Sequence, residues 1–553
     1  MTSSTLDITP HPNTRWGVMS NADLPTFGHT PLPSQLTDHG AAFYRATQPD
    51  YDSWISHVRA AAGCTRPLQL HGALGDARHT EQLPDGVIYK ACGNRRHTVC
   101  PSCARTYQND AYQLIRAGLI GGKGVPETVA RHPATFATFT APSFGPVHAH
   151  KVSKHTCRNR KRCDCRPDPC RPRRPEDIRL CQHGRPMVCF ARHERGDTRI
   201  GTPVCADCYD YEHQVVWNLS SGELWRRTKQ AADRHLRRLC RTRGIPFVVV
   251  YTNSGKARYL SPVRLSHGKV AEFQRRGVVH FHALLRLDGI DAWDLDAVIP
   301  PPAGIGVDDL HDALRYAATT IGLTVGGHPD NPTGWPIAWG TQLDLRPLNL
   351  AGDGDVTDGM AAGYLAKYAT KSTEITGHNS TRLDADTINN YADDQGTHVE
   401  RLIDACWRIG RPLPAVRRQG GLDTQPANAR PTNPCQGLRR WAHMLGFGGH
   451  FFTKARRYST TFGNLRAARI DFRRNEHQDH QQVDTGVVRA IDHQGEETTL
   501  VVGALTFAGA GWRNSGDALL ANTAAAMARI RHETAREEIA HEIGTLADLP
   551  AAA

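Results

Sequence analysis

The stretch Gly277-Val278-Val279-His280-Phe281-His282-Ala283-Leu284-Leu285-Arg286-Leu287 decides how this chain is interpreted. Its β-branched and bulky residues, with Arg275-Arg276 before it and Asp288-Gly289 after it, predict a strand bounded by turns. Successive side chains on a strand point to opposite faces, so His280 and His282 project together. Two adjacent imidazoles can bind one divalent cation. Taken alone, the pair favours the plainer interpretation of two ordinary strand histidines.

A second stretch, Tyr364-Leu365-Ala366-Lys367-Tyr368-Ala369-Thr370-Lys371, favours a helix because it is rich in alanine and leucine. On a helix Tyr364 and Tyr368 lie one turn apart, so both phenols share one face. Lys367 and Lys371 each follow a tyrosine by three residues, which places an ammonium group where it can stabilise a phenolate. The alternative is a helix that packs two tyrosines against a sheet. Beside a metal-binding histidine pair, the functional interpretation is preferred.

Together these residues resemble the HUH endonuclease superfamily, and within it the replication initiators that start rolling-circle DNA synthesis. The family carries His-hydrophobic-His on a strand, which is similar to residues 280–282 here. It also carries Tyr-hydrophobic-x-Lys on a downstream helix, which is similar to residues 364–367 and again to residues 368–371. The overlapping tyrosine motifs resemble the two-tyrosine subclass. The Thr-rich strand at 136–142 is similar to a third family motif, and the ending Cys205–Tyr211 resembles that of actinobacterial plasmid and integrative-element initiators.

The resemblance implies a metal-dependent, site-specific single-strand DNA endonuclease and strand transferase. Tyr364 or Tyr368 would attack one strand, giving a 5′-phosphotyrosine link and a free 3′-hydroxyl that primes a host DNA polymerase. A third metal ligand is needed beside the histidines. Glu272 is the first choice because a glutamate is similarly placed in phage initiators, and Gln274 is the rival. Imidazole ligands favour Mn²⁺, although Mg²⁺ is more abundant in cells.

Cysteines cluster at spacings typical of structural zinc sites. Cys100-Pro101-Ser102-Cys103 is a knuckle that directs two thiolates toward one ion. Cys92 is the expected third ligand, and either His97 or Cys64 could complete the set.

A second group of cysteines lies in a polar insertion. Cys205-x-x-Cys208 is a half-site for zinc, and Cys181 and Cys189 are its preferred partners. The segment Lys151–Arg174 carries ten Lys or Arg against two acids, which is too polar for a core of its own. We therefore expect metal or DNA to order this insertion.

Periodicity and turn residues predict the order of the core elements. They are a strand at 136–140, a helix from Ser221 to Gly244, strands at 247–251 and 277–287, a helix over 310–321, a strand at 341–346 and the tyrosine helix. The first six have the split βαβ, ferredoxin-like order, an α+β class in which a central antiparallel sheet carries its helices on one face. The other face would hold the histidines beneath the tyrosine helix, and the resemblance implies the same HUH core.

The predicted domains follow these features along the chain. They are an N-terminal region of unknown role (1–85), a zinc knuckle and linker (86–128), the endonuclease core (129–375) with its zinc insertion (150–215), a basic and aromatic DNA-binding extension (376–480) and a C-terminal region (481–553).

In the extension, Thr397-x-x-Glu400 is a capping box that begins a helix. Arg439–Arg474 holds nine Lys or Arg against one acid, interleaved with aromatic rings that can stack on unpaired bases. The alternative is a subdomain whose aromatic residues form its core.

Composition limits the class of protein. The 553 residues suggest two to four domains, and 67 Lys or Arg against 55 acids, with a net charge of +12, permit a polyanionic partner. The odd count of 15 cysteines argues against a secreted disulfide framework and favours a cytoplasmic location.

We find no signal peptide and no membrane-spanning run of ~20 apolar residues. We also find no phosphate loop, so a host helicase would unwind the duplex. A helix predicted over Asp517–His541 could form a homodimer contact.

The sequence therefore predicts a replication initiator that nicks single-stranded or cruciform origin DNA. Within the superfamily, a two-tyrosine transposase or a relaxase is the alternative, although relaxases place the tyrosine ahead of the histidines. A zinc-dependent DNA-binding regulator is the alternative outside enzymes. It accounts for the cysteines and the charge and leaves the histidine and tyrosine pairs unexplained.

Overall fold

The computed structural model describes residues 37–74, 78–157, 164–348, 358–371, 373–376, 381–413, 433–481 and 505–547. The chain divides into two compact units, one formed by Met1–Cys92 with Leu500–Ala553 and the other by Gly93–Thr499. The first unit therefore combines segments that the sequence suggested were separate terminal regions.

The first unit pairs the two ends of the chain in one small sheet. It contains α1 (Asp38–Ala46), α2 (Tyr51–Val58), β1 (Leu68–Leu74), β2 (Arg78–His79), β3 (Ile88–Lys90), β13 (Leu505–Ala510) and α10 (Ser515–Ala547). Strand β1 pairs antiparallel with β13, β2 and β3. Trp54, Val58, Tyr89 and Ala521 are buried in its core. The helix predicted over 517–541 is confirmed within α10.

The second unit is built on β4 (Ala134–Phe139), β7 (Val263–Phe273), β8 (Val279–Gly289), β11 (Leu343–Pro347) and β12 (Phe452–Lys454). These strands form one sheet in the order β11-β4-β8-β7-β12, with every neighbouring pair antiparallel. Its helices include α3 (Pro101–Ile120), α4 (Tyr211–Thr242), α5 (Val307–Thr320) and α6 (Asp358–Ala369). The mixed helix and antiparallel-sheet class predicted from the sequence is confirmed.

Strand β8 separates two hydrophobic cores because its side chains alternate between faces. Phe281, Ala283 and Leu285 belong to the core formed with α4 and α5. Leu284 belongs to the core formed with α3 and α6. His280 and His282 share the second face, so the tyrosine helix α6 and the histidines lie on the same side of the sheet.

Two of the predicted elements differ in part from the structure: one helix begins earlier than predicted, and one strand forms as predicted but lies outside the central sheet. Helix α4 begins at Tyr211, where the Asp210 carboxylate accepts a hydrogen bond from the His213 backbone N–H, and Ser221 is buried inside it. The strand predicted at 247–251 is β5 (Val248–Tyr251), which pairs with β6 (Ala257–Leu260) in a hairpin outside the central sheet. Strand β7 takes the place in the sheet that β5 was expected to fill.

The remaining elements of this unit are α7 (His398–Ile409), α8 (Gly437–Arg440), α9 (Phe462–Gln481) and the hairpin of β9 (Gly322–Val325) and β10 (Trp335–Ala338). The capping box at Thr397 and Glu400 is confirmed, with both reciprocal hydrogen bonds present at the start of α7. Among the described residues, no helix is both long enough and apolar enough to cross a bilayer.

Candidate active site

The hairpin of β7 and β8 brings an acid and two histidines to one end of the sheet. Gly277 in its turn has a φ of +76°, which a residue with a side chain rarely adopts. The antiparallel register sets Glu272 opposite His280 and Val270 opposite His282. The eight residues that separate Glu272 from His280 in sequence thus make them direct cross-strand neighbours.

The three side chains form a compact triangle. Glu272 Oε2 lies 3.0 Å from Nε2 of His280 and 3.0 Å from Nε2 of His282, and the two imidazole nitrogens are 3.1 Å apart. An octahedral ion with bonds of about 2.1 Å has adjacent ligands about 3.0 Å apart. One carboxylate and two imidazoles are also ligands that Mn²⁺ and related ions accept. The triangle therefore fits one face of an octahedral divalent cation.

Neighbouring strands fix the orientation of the imidazoles. Thr138 on β4 lies opposite His282, and its hydroxyl is 3.0 Å from Nδ1 of that ring. The Gln274 side chain is 3.3 Å from Nδ1 of His280, while its oxygen accepts a hydrogen bond from Arg276. Gln274, the rival metal ligand, therefore contacts the ring edge that faces away from the triangle. Hydrogen bonds to the second nitrogen commonly orient metal-binding histidines.

Helix α6 presents both tyrosines to this triangle. Its opposite side is buried in the second core through Ala362, Leu365, Ala366 and Ala369. The Tyr364 hydroxyl lies 3.4 Å from Nε2 of His282, and the Tyr364 and Tyr368 ring centres are 4.6 Å apart. Phe136 on β4 contacts both the His282 ring and the Tyr364 ring. Acid, imidazoles and phenols thus converge on one point.

The electrostatics of the site keep the phenols protonated in the absence of a cation. Burial, the neighbouring Tyr368 and the Glu272 carboxylate raise the pKa of Tyr364, and burial and Glu272 likewise raise the pKa of Tyr368. Burial lowers the pKa of His282, which favours the neutral ring that can bind metal. Burial alone would raise the pKa of Glu272, but its hydrogen bonds from His280 and His282 lower it. Glu272 raises the pKa of both tyrosines, so a positive charge at the triangle would lower it.

The two lysines take different positions at the C-terminal end of the tyrosine helix, and their role beside the phenols stays a prediction. Lys371 Nζ lies 4.6 Å from the Tyr368 ring centre, over the ring, and Lys367 is exposed on α6. Arg346, on β11, is the cation that opposes the rise in the pKa of Tyr364. Sequence reasoning missed Arg346 because it lies 18 residues before the tyrosine on a separate strand, and only the sheet brings them close.

The predicted zinc ligands of the insertion divide between two groups. Cys181, Cys205 and Cys208 lie together, but the fourth member is His183, whose Nδ1 is 3.2 Å from the Cys208 sulfur. Cys189 is not part of this group, because its backbone pairs with Arg171 and holds it elsewhere. The spacing Cys181-x-His183 was the signal that could have found the histidine.

The knuckle cysteines start a helix. Cys100 is the residue before the first turn of α3, and Cys103 lies in that turn. Cys92 belongs to the first unit, and its backbone N–H is 3.3 Å from the Cys64 sulfur in the same unit. The zinc site formed by Cys92, Cys100 and Cys103 stays a prediction.

Four aromatic residues of the segment 439–474 pack in the core. Phe447, Phe451, Phe452 and Tyr458 are each exposed by 8% or less. Their rings are therefore unavailable to stack on bases in this conformation. The interpretation of a folded region with buried aromatic residues holds for these four.

Similarity to known proteins extends over most of the chain. Residues 50–526 match the family described as RepSA, replication initiator protein, pSAM2. A curated relative from Streptomyces ambofaciens, named replication initiator protein, is 36% identical over 533 residues, which are 93% of this chain and 98% of the relative. No solved structure matches the chain.

Proposed function

The chain belongs to the family of replication initiator proteins of the pSAM2 type, and on this premise we propose that it nicks one strand of its origin DNA through a tyrosine and a divalent cation. The observation that carries the proposal is the 3.4 Å separation between the Tyr364 hydroxyl and Nε2 of His282, within the triangle that includes Glu272. A nucleophile and a metal-binding group that close can act on the same phosphate.

The sheet supports an HUH type of core. The chain order β4, α4, β7, β8, α5, β11 and the spatial order β11-β4-β8-β7 are the strand–helix–strand–strand–helix–strand arrangement of ferredoxin-like folds. The histidines and the tyrosines occupy the sheet face opposite α4 and α5. These features support our proposal that the chain is a two-tyrosine HUH endonuclease.

In this mechanism the protein supplies orientation and the nucleophile. A divalent cation bound by Glu272, His280 and His282 would neutralise charge on the scissile phosphate and favour the phenolate. The phenolic oxygen of Tyr364 forms a bond to phosphorus, the bond from phosphorus to the 3′-oxygen breaks, and that oxygen takes up a proton. The result is a 5′-phosphotyrosine and a 3′-hydroxyl primer. With its ring centre 4.6 Å away, Tyr368 can act on a second strand while the first stays attached.

A cleft beside the C-terminal end of α6 offers a route for single-stranded DNA. It encloses about 360 Å³, and its lining includes Arg95, Arg96, Arg382 and His450. Arg95 donates hydrogen bonds to the backbone oxygens of Ala369 and Lys371, which ties the cleft wall to the tyrosine helix. Cationic clefts of this kind bind phosphates without reading sequence.

The test is a covalent adduct. Purified full-length protein is incubated with Mn²⁺ and labelled single-stranded oligonucleotides that tile the replicon encoding it, and products are separated on a denaturing gel. Each oligonucleotide is labelled at its 3′ end, which stays in the downstream fragment, and we expect this label to migrate with the protein. The double variant Tyr364→Phe with Tyr368→Phe should form no adduct, and the control Tyr251→Phe, on the hairpin outside the sheet, should form as much as wild type.

The same assay separates the alternatives. Sequence-specific DNA binding with no adduct under any divalent metal would favour the zinc-dependent regulator. Efficient insertion of the cleaved end into a second DNA would favour a transposase. The family to which the chain belongs, replication initiators, favours initiation over both.

A further inference from the structure

A second group of metal-ligating side chains lies in and just before the insertion, and it includes Cys189, which the sequence had assigned to the other group. The ligand atoms of His148, Cys170, Cys189 and His193 all lie within 4.8 Å of one another. Nδ1 of His148 is 3.1 Å from Nε2 of His193, which is itself 3.4 Å from the Cys189 sulfur. Cys170 and His193 are fully buried. We propose that this group holds a zinc ion that positions the active-site hairpin.

The chemistry of the four donors fits zinc. A tetrahedral ion with bonds of about 2.0–2.1 Å to nitrogen and about 2.3 Å to sulfur sets its ligand atoms roughly 3.3–3.8 Å apart. The observed separations lie close to these values. The Ala149 backbone N–H is 3.2 Å from the Cys170 sulfur, which suits a thiolate. Nδ1 of His193 is 2.7 Å from the Asp197 carboxylate, the usual partner of a zinc-bound imidazole.

The two groups of the insertion interleave along the chain. His148 and Cys170 come first, followed by Cys181 and His183 of the other group. Cys189 and His193 of the first group come next, and Cys205 and Cys208 of the second come last. Each group therefore has ligands that lie in sequence between ligands of the other. Loss of the metal from one group would free a segment that carries ligands of the other group.

The described part of this region contains little regular secondary structure. Between β4 and α4, the described residues form three-residue 3-10 turns at 175–177 and 206–208 and isolated backbone bridges such as Arg171 with Cys189. A polar segment with so little regular structure gains order from metal binding itself. The free energy of metal binding is then part of the free energy of folding of the insertion.

The segment 195–201 of the insertion contacts the turn of the active-site hairpin. Arg275 in the turn between β7 and β8 donates hydrogen bonds to the backbone oxygens of Asp197, at 3.1 Å, and Arg195, at 2.7 Å. Gly201 packs so closely on this turn that a Cβ there would lie 2.6 Å from the Arg275 carbonyl carbon. Asp197 thus contacts the zinc ligand His193 with its side chain and the hairpin with its backbone.

This arrangement makes Arg275 a positioning residue. The turn that it anchors joins the strands of Glu272 and His280, so a loosened turn would widen the triangle that binds the catalytic cation. The zinc site itself is independent of the proposed function. Its effect on the cation rests on the metal site that the proposed function assigns to Glu272 and the histidines.

Metal content tests the zinc site. Zinc per chain is measured by mass spectrometry on full-length protein after gel filtration, for wild type, Cys189→Ser, His193→Ala and the control Cys240→Ala in α4. We expect each of the first two to lose at least one equivalent of zinc and the control to lose none. If either variant fails to stay soluble, Asp197→Asn replaces it, with zinc released to a chromogenic chelator 10- to 100-fold more readily than from wild type. Wild-type zinc content or release in these variants would overturn the site.

Manganese affinity tests the positioning role. Bound and free Mn²⁺ are distinguished by electron paramagnetic resonance, which requires no nicking. Arg275→Met should keep full zinc content and bind Mn²⁺ about 10-fold more weakly, and Arg275→Lys should recover part of the loss. Unchanged Mn²⁺ affinity in Arg275→Met would refute the positioning role, whereas Mn²⁺ binding without any nicking by wild type would refute the proposed function alone.

Discussion

The central sheet and the cysteine-rich insertion both gather histidines around a point where a metal ion fits, but by different means. Glu272, His280 and His282 stand on strands that pair along their length and rest on two hydrophobic cores. His148 and His193 stand on irregular chain whose order we attribute to zinc. We therefore expect metal binding at the sheet to have little effect on folding. In the insertion, the proposed zinc would contribute to the folding of the segment itself.

His280→Ala would sharpen this comparison with the largest effect. We expect nicking to fall by on the order of 10³-fold or more, because the triangle loses a ligand of the catalytic cation. The melting temperature should change little, since β8 remains paired with β4 and β7. Rates on a labelled oligonucleotide and thermal unfolding measure the two effects. His235→Ala on α4 is the control, and a wild-type rate for His280→Ala would remove the triangle from catalysis.

Thr138→Val tests how much the neighbouring strand contributes to the orientation of the His282 ring. Removing the hydroxyl that contacts Nδ1 of His282 should weaken Mn²⁺ binding and slow nicking by roughly 10- to 100-fold. Valine preserves the shape of threonine on the strand, so stability should be retained. Thr138→Ser should restore most of the activity. A full rate in Thr138→Val would mean that packing alone orients the ring.

Gly277→Ala tests the turn that joins β7 and β8 and that contacts the insertion through Arg275. The alanine would need a φ of +76°, and its Cβ would lie 2.7 Å from a Leu402 methyl group. We expect a loss of about 1–2 kcal/mol in the free energy of unfolding. Chemical denaturation measures it, with Gly255→Ala in the β5–β6 hairpin as a control that shares the positive φ but meets no atom within 4 Å. Equal losses in the two variants would exclude crowding as a cause.

Lys269→Met concerns the sheet alone, and its effect depends on pH. Lys269 is buried with Nζ 3.6 Å from the Phe281 ring centre, and burial lowers its pKa to about 7 from 10.5. Between these values the unfolded chain binds the extra proton, so this lysine makes stability rise with pH by at most about 1.4 kcal/mol per unit. Methionine should remove that slope, and its stabilising effect should be larger at pH 7 than at pH 9. Denaturation curves at both pH values, compared with wild type, measure the difference.

The sequence predicted the elements whose patterns are local. Strand β8 is continuous and apolar, and the tyrosine helix is rich in alanine, so both could be found from periodicity. Strand β7 was missed because His267 and Lys269 are buried polar residues that interrupt its alternation. The start of α4 was missed because Ser221 is a plausible cap, while the cap that forms is Asp210.

The candidate site was predictable in part for the same reason. Histidine and tyrosine motifs are short, whereas Glu272 was chosen from the resemblance to phage initiators, and the structure places it across the hairpin from His280. Contacts that depend on distant strands, such as Thr138 with His282 or Arg346 near Tyr364, need the sheet order. The division of Cys189 from Cys181 could not be read from spacing, because interleaved groups give several equivalent pairings.

Strand β12 determines when the central sheet can be completed during synthesis. It pairs with β7 through Phe452 and Val270, although about 180 residues of chain separate the two. A ribosome must therefore translate beyond Lys454 before the edge of the sheet can close. Nascent chains that carry the complete tyrosine helix still lack this strand, so a shortened product would present the catalytic residues on an unfinished scaffold.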